Sequence, residues 1–143
     1  MSPDQKTIYF SSERPGGLGG RDIYFATLQA DGSWGNVKKL GPEINTKYDE
    51  DAPFVHADGK TLFFASNGHT TIGGYDIFKS EMKSGKWQKP FNVGKPVNTP
   101  GDDKFYVVSS DGRRGYYSSE KRMGRDNKIF TWLNLECLEN LQL

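Results

Sequence analysis

Residues Ser11 to Phe25, SSERPGGLGGRDIYF, return 54 positions later as Ala65 to Lys79, ASNGHTTIGGYDIFK. Gly19-Gly20, Asp22 and Ile23 reappear as Gly73-Gly74, Asp76 and Ile77, and a worn third copy, SSEKRMGRDNKIF, runs from Ser118 to Phe130. A chain repeating at this period folds as an array of small units. Each unit is too small to bury its own apolar face, so neighbouring units must stack.

The content of one unit can be read by following a copy through. A polar turn anchored by Asp4, Asp58 or Asp111 leads into an aromatic strand carrying Tyr9-Phe10, Phe63-Phe64 or Tyr116-Tyr117. After the Gly-rich connection comes a β-branched and aromatic run, Asp22 to Leu28, Asp76 to Met82 and Lys128 to Leu133. Hairpin turns at Asp31-Gly32 and Ser84-Gly85 are each followed closely by a Trp, Trp34 and Trp87. Leu40-Gly41, Ile44-Asn45-Thr46 then matches Val93-Gly94, Val97-Asn98-Thr99, with the acids Asp49-Glu50-Asp51 and Asp102-Asp103 just beyond. The runs DAPFV, from Asp51, and KFYVV, from Lys104, lead into the next turn.

Four short strands in about 53 residues make one antiparallel propeller blade. The expected fold is therefore all-β: a partial β-propeller of about three four-stranded antiparallel blades and about ten strands, the first and last blades incomplete. The chain reads as a single propeller-repeat domain, 1–143, with blade 1 at 1–50, blade 2 at 51–103 and a degenerate blade 3 at 104–143. The third copy carries Lys128 where Asp22 and Asp76 stand, and neither a Gly-x-Trp hairpin turn nor Asn-Thr follows. Its closing segment, 131–143, has Leu135, Leu138 and Leu141 at a three-residue spacing and reads as a short helix or an irregular last strand. The aromatic pairs are expected to pack blade on blade.

Composition narrows the function classes. Aromatic residues reach 13% and Gly numbers 17, which suits short strands and tight turns. With 19 basic and 18 acidic residues the net charge is +1, so no concentrated positive surface for nucleic acid is expected. The single Cys137 can form neither an intrachain disulfide nor a cysteine-based metal site. No apolar run approaches the roughly 18 residues of a membrane span, so direct membrane insertion is not expected. The residues after Met1 show no signal-peptide succession, so an exported form would carry its signal outside this chain.

Each candidate chemical site has a structural reading. GGLGGRD superficially resembles a calcium-binding nonapeptide, but that motif works by stacking consecutive copies and these lie 54 residues apart. The glycines are expected to supply positive φ in a tight loop, with Asp22 and Asp76 accepting backbone N–H bonds. His56 and His69 fall at unrelated repeat positions and read as locally bonded side chains rather than ligands or bases. The acidic groups recur in successive copies, which favours a blade-connecting role over acid–base catalysis. Arg14, Arg21, Arg122 and Arg125 decorate the Gly-rich loops and are candidates to pair with those acids. No catalytic residue, metal site or cofactor is assigned. The repeat signature is Asp4, Asp58, Asp111, Gly19, Gly20, Asp22, Gly73, Gly74, Asp76, Trp34, Trp87, Asn45 and Asn98.

The order of Asp-Gly turn, aromatic strand, Ser-Ser, Gly-rich loop, Asp-Ile-Tyr/Phe, Trp and Ile/Val-Asn-Thr resembles the WD40-like propeller repeat of the TolB type, over about Ser2 to Phe130. It looks most like the version in OmpA-related envelope proteins of Gram-negative bacteria. The resemblance implies a non-catalytic binding or scaffolding module of the periplasm or cell envelope, with a protein partner. The alternative is the propeller portion of a carbohydrate-active hydrolase or lyase, or of a serine peptidase, although no Gly-x-Ser-x-Gly elbow is present. Three blades leave uncovered faces at both ends. Two chains closing a six-bladed ring, or further blades on a longer chain, would cover them.

Overall fold

Strong turns and short β-branched or aromatic runs leave little choice but antiparallel strands joined by hairpins. The structure is a computed structural model that describes residues 1–120 and, as backbone only, 129–134. Among the described residues there are eleven strands and no helix. The first sheet holds β1 (Thr7–Ser12), β2 (Asp22–Leu28) and β3 (Trp34–Lys39) in chain order. The second holds β4 (Glu50–Val55), β5 (Thr61–Ser66), β6 (Asp76–Lys83) and β7 (Lys86–Trp87), with β8 (Phe91–Asn92) also on β6. The third runs β9 (Asp103–Val108), β10 (Arg114–Ser119) and β11 (Ile129–Asn134).

The fourth strand expected of the second blade is thus split into β7 and β8. The intervening Pro90 lacks the N–H a continuous ladder would need. In the first sheet the same stretch is the continuous β3, irregular at Asn36, whose φ is +50°.

Strand pairing also corrects the third copy. Ser12 faces Asp22 and Ser66 faces Asp76, while Ser119 faces Ile129, so Ile129 rather than Lys128 takes the aspartate position. The segment expected as helix or irregular strand supplies 131–134 to β11; residues 135–143 lie outside the described residues.

Side chains alternate across each pleat, so adjacent aromatics leave by opposite faces. Tyr9 of β1 and Phe63 of β5 point toward the following sheet, whereas Phe64 and Tyr117 point back. Two cores result. The first joins Tyr9, Ile23, Leu40 and Ile44 to Leu62, Phe64 and Phe78; the second joins Phe63, Ala65, Ile77 and Val97 to Tyr106 and Tyr117. Each core lies between sheets, as stacking of units demands.

Candidate functional site

Asp22 and Asp76 hold the Gly-rich connections closed. The Asp22 carboxylate accepts the N–H groups of Leu18 and Gly19 at 2.8 and 3.1 Å, and Asp76 accepts those of Ile72 and Gly73 at 2.5 and 3.3 Å. The glycine pairs do something other than the positive φ expected of them, which occurs at Gly16, Gly32, Gly59, Gly85, Gly94 and Gly112 instead. They let the segment entering the next blade pass over the loop. A Cβ at Gly19 would collide with the Tyr48 carbonyl oxygen, and one at Gly20 would lie 2.5 Å from the Asp49 carboxylate. Gly73 and Gly74 meet the Thr99–Gly101 backbone and Asp102 in the same way.

That segment carries the recurrent acids. Asp49 accepts the Arg21 N–H at 2.8 Å and Asp102 accepts the Tyr75 N–H at 3.0 Å, so each first acid ties its blade to the one before. The second acid is buried: Glu50 accepts the Thr46 N–H, the Thr46 hydroxyl and the Ser66 hydroxyl at 2.8, 2.7 and 2.8 Å. Asp103 takes the equivalent place beside Thr99 and Ser119. Asn45 and Asn98 complete the frame, their side-chain oxygens accepting the N–H of Ile23 at 2.8 Å and of Ile77 at 2.7 Å.

A row of charges follows these acids across the blades. Arg21 reaches Glu13 at 2.6 Å and Asp51 at 2.9 Å; Lys104 lies 3.9 Å from Asp51 and 3.5 Å above the Tyr75 ring, whose hydroxyl donates to Asp49 at 3.1 Å. Burial alone would raise the Asp51 carboxyl, but bonds from the Ser11 hydroxyl, the Ala52 N–H and Arg21 leave it below the usual carboxylate range. Tyr75 is pushed up to about 12, first by burial and then by Asp49. Every carboxylate in the row is spent on a cation, a hydroxyl or an amide. This is framing chemistry rather than acid–base chemistry.

The other loop residues separate. Among the described residues Arg14 pairs with no acid; its guanidinium covers the Phe10 and Tyr24 rings at 5.0 and 4.9 Å. Arg122 and Arg125 lie outside the described residues. His69 bonds the Ile44 carbonyl at 2.8 Å between the Phe64 and Phe78 rings, and His56 bonds the Ser109 carbonyl at 3.1 Å. Asp4, Asp58 and Asp111 each accept N–H bonds inside their own turns, from Lys6, Lys60 and Arg113 at 3.0, 2.7 and 3.0 Å.

The two hairpin tryptophans, Trp34 and Trp87, have different fates, and a concave site opens beside the second. Trp87 on the β6–β7 hairpin leans on Tyr9 of the previous sheet, ring centroids 6.2 Å apart and nearly perpendicular. Trp34 at the same repeat position is 40% exposed. Beside the Trp87–Tyr9 contact a cleft of about 500 Å³ opens between the first two sheets, walled by Tyr9, Phe25, Leu40, Ile44 and Trp87 and rimmed by Glu43 and Lys86. No charge or β-pattern in the sequence marks this cleft. It arises from how two blades meet.

No protein-family model matches the sequence, and no curated protein does. Among solved structures, TolB from Acinetobacter baumannii is similar at 18% identity and TM-score 0.59, over 95% of this chain and 29% of that one. A protein assigned as TolB from Agrobacterium tumefaciens is similar at 16% identity and TM-score 0.64, over 94% of this chain and 44% of its own. The chain therefore spans less than half the length of either. With three antiparallel sheets stacked through repeat-equivalent residues, its fold is a partial β-propeller of the TolB type.

Proposed function

We propose that the chain is a non-catalytic binding module of a bacterial cell-envelope protein, holding a protein partner in the cleft between its first two blades. The cleft carries the proposal. At about 500 Å³ it falls in the size range of ligand pockets, and its walls are Tyr, Phe and Trp, the residues that dominate binding hot spots. The recurrent acids meanwhile are occupied in joining blades. Localisation in the periplasm rests on the likeness to TolB-type and OmpA-related repeats.

Charge reversal at the rim tests the reading without touching the core. Lys86 is exposed, so Lys86→Glu should leave the urea midpoint unchanged and weaken, by at least fivefold, capture of a partner cross-linked from envelope extract. Undiminished capture by both Lys86→Glu and Glu43→Lys would move the partner away from the cleft.

The end faces support a second mode of association, between two copies. Tyr116, 48% exposed, stands where Tyr9 stands, and Trp34 stands where Trp87 does. A second chain packing its third blade on this chain's first would recreate the Tyr9–Trp87 contact, and a twofold pair would close a six-bladed ring. Light scattering at micromolar concentration should give twice the chain mass, falling to the single-chain mass for Trp34→Glu. A monomer at every concentration would overturn the closed pair.

A further inference from the structure

The residue that follows Ser12, Ser66 and Ser119 opens the Gly-rich connection of its copy. In the second blade this is Asn67, which donates its N–H to the Asp49 carbonyl at 3.3 Å and accepts the Asp49 N–H on its side-chain oxygen at 3.0 Å. Asp49 in turn accepts the Arg21 N–H of the first blade, so Asn67 backs the first junction. In the third blade Glu120 donates its N–H to the Asp102 carbonyl at 2.8 Å, the same contact at the second junction. Glu13 holds the place in the first blade and meets Arg21 at 2.6 Å. Two copies carry an acid here, and the second carries an amide.

That amide precedes a glycine which the packing requires. A Cβ on Gly68 would collide with the Thr46 hydroxyl and lie 3.0 Å from the Glu50 carboxylate. Asn67-Gly68 is also the single Asn-Gly pair in the sequence. In such a pair no side chain on the second residue hinders its nitrogen from reaching the amide carbon of the first. Asn67 is exposed, so water reaches it. The folded geometry nevertheless holds both reacting atoms apart. Gly68 donates its N–H to the Ser66 hydroxyl oxygen at 2.9 Å, Ser66 donates to Glu50 at 2.8 Å, and the Asp49 N–H pins the amide oxygen.

We propose that Asn67 is a modification site, deamidated without an enzyme whenever the contact between the first two blades opens. The Gly68 nitrogen bonds to the Asn67 amide carbon as the bond from that carbon to Nδ2 breaks. The Gly68 proton leaves with Nδ2 as ammonia, and a succinimide remains. Water then opens the ring at either carbonyl, giving aspartate or isoaspartate. Aspartate gives this copy a carboxylate, as the other two have, and still accepts the Asp49 N–H. Isoaspartate routes the backbone through the side chain, one carbon longer, so the Asp49 contact and the place of Gly68 against Thr46 can no longer both be held. The modification records opening of the first junction and not of the second, where Glu120 has no amide to lose.

The test holds the whole chain beside an unstructured peptide of residues 64–71 at neutral pH and follows ammonia loss by peptide mapping and mass spectrometry. Asn67 should convert ahead of Asn36, Asn45, Asn92 and Asn98, and about ten- to a hundredfold more slowly than in the peptide, as reaction through a minor open state requires. Ile44 and Val97 are repeat equivalents in the first and second cores. Ile44→Ala should speed conversion by about fivefold or more, and Val97→Ala by less than about twofold, because the two variants loosen different junctions. Each variant must keep the circular dichroism of a β-protein, and Ile44→Val takes the place of Ile44→Ala if that variant does not. Conversion as fast as in the peptide overturns the lock, and equal acceleration by both variants overturns gating at the first junction. Earlier conversion of another asparagine, or none at Asn67 over about a hundred peptide half-times, overturns the site.

Discussion

The two blade junctions are the same site built twice, and they differ in how much each side chain must do. At the first, Leu62 and Phe64 press on Ile23, Leu40 and Ile44. At the second, Gly115 stands at the Leu62 position, and the Tyr106 ring, which has Pro53 as its counterpart, lies over it; a Cβ on Gly115 would sit 3.0 Å from the Tyr106 hydroxyl oxygen. One side chain has shrunk and its neighbour has grown to refill the space. Volume, not identity, is what the repeat preserves at this place.

The same junctions differ more sharply in polar detail. Glu50 reaches the Thr46 N–H, the Thr46 hydroxyl and the Ser66 hydroxyl at 2.7–2.8 Å, whereas Asp103, one methylene shorter, holds the Thr99 N–H at 2.6 Å but the Thr99 hydroxyl only at 3.4 Å. Burial raises the Asp103 carboxyl above its ordinary value, and the bonds from Ser119 and Thr99 only partly offset this. The second junction is the looser copy, next to the blade whose sequence has drifted furthest.

The largest expected effect is on Phe64, which is 1% exposed, stacked on Phe78 and edge-on to His69. Phe64→Ala should cost about 3–5 kcal/mol by urea unfolding, the usual loss for a buried ring. Tyr117→Ala, at the equivalent place in the junction with the shorter acid and 5% exposed, should cost about 1–2 kcal/mol less, because that site can relax. Equal losses would mean that the junctions are equally tight.

Asparagine truncation comes next. Asn45 donates to the Ile23 and Leu40 carbonyls, both at 2.9 Å, while Asn98 donates to the Ile77 carbonyl at 2.9 Å and to the Asn92 side chain at 2.7 Å. Removing Asn45 strands the Ile23 N–H and the Leu40 carbonyl, while the Ile23 carbonyl keeps the Leu40 N–H at 2.9 Å, and Asn45→Ala should cost about 2–4 kcal/mol. Asn98→Ala should cost about 1 kcal/mol less, since the half-exposed Asn92 can turn to water. A larger loss for Asn98→Ala would reverse the ranking of the junctions.

Exchanging the acids sharpens the comparison on a single methylene. Glu50→Asp should lose about 1–2 kcal/mol as its hydroxyl bonds lengthen, while Asp103→Glu should stay within about 0.5 kcal/mol of the parent or gain. Matching losses at both positions would show that each pocket is fitted to its own acid.

How much of this was legible in the sequence follows from which interactions are periodic. Asp22, Asp76, Asn45 and Asn98 were visible because each serves its own repeat at a fixed offset, bonding backbone that every copy must close. The glycine pairs were found for the wrong reason: sequence shows that a side chain is not tolerated, but not whether φ or a passing backbone forbids it. Arg14 was expected near an acid and lies on rings, since a guanidinium can satisfy either surface. The cleft beside Trp87 was not legible at all. It depends on the angle between two sheets, and nothing local encodes that angle.

The smallest effect isolates the row of charges that crosses the blades. The Tyr75 hydroxyl donates to Asp49, and its pKa is pushed up to about 12, chiefly by burial and then by that carboxylate. An unfolded tyrosine ionises near pH 10. The folded state therefore keeps a proton that the unfolded state releases, and the stabilisation is whole below about pH 10 and lost as pH rises through about 12. Tyr75→Phe removes the hydroxyl, so the variant has no such loss. The stability gap between parent and variant should be constant up to about pH 9.5 and should shrink between about pH 10 and 12, by less than about 1 kcal/mol because the ring is partly exposed. Tyr106, also pushed up to about 12, is common to both proteins and cancels in the difference. Urea midpoints of the two proteins at matched pH read the gap directly. A gap that stays flat to pH 12 would mean that Tyr75 and Asp49 are not bonded across the second junction, and that the charged row ends at Asp51 and Lys104.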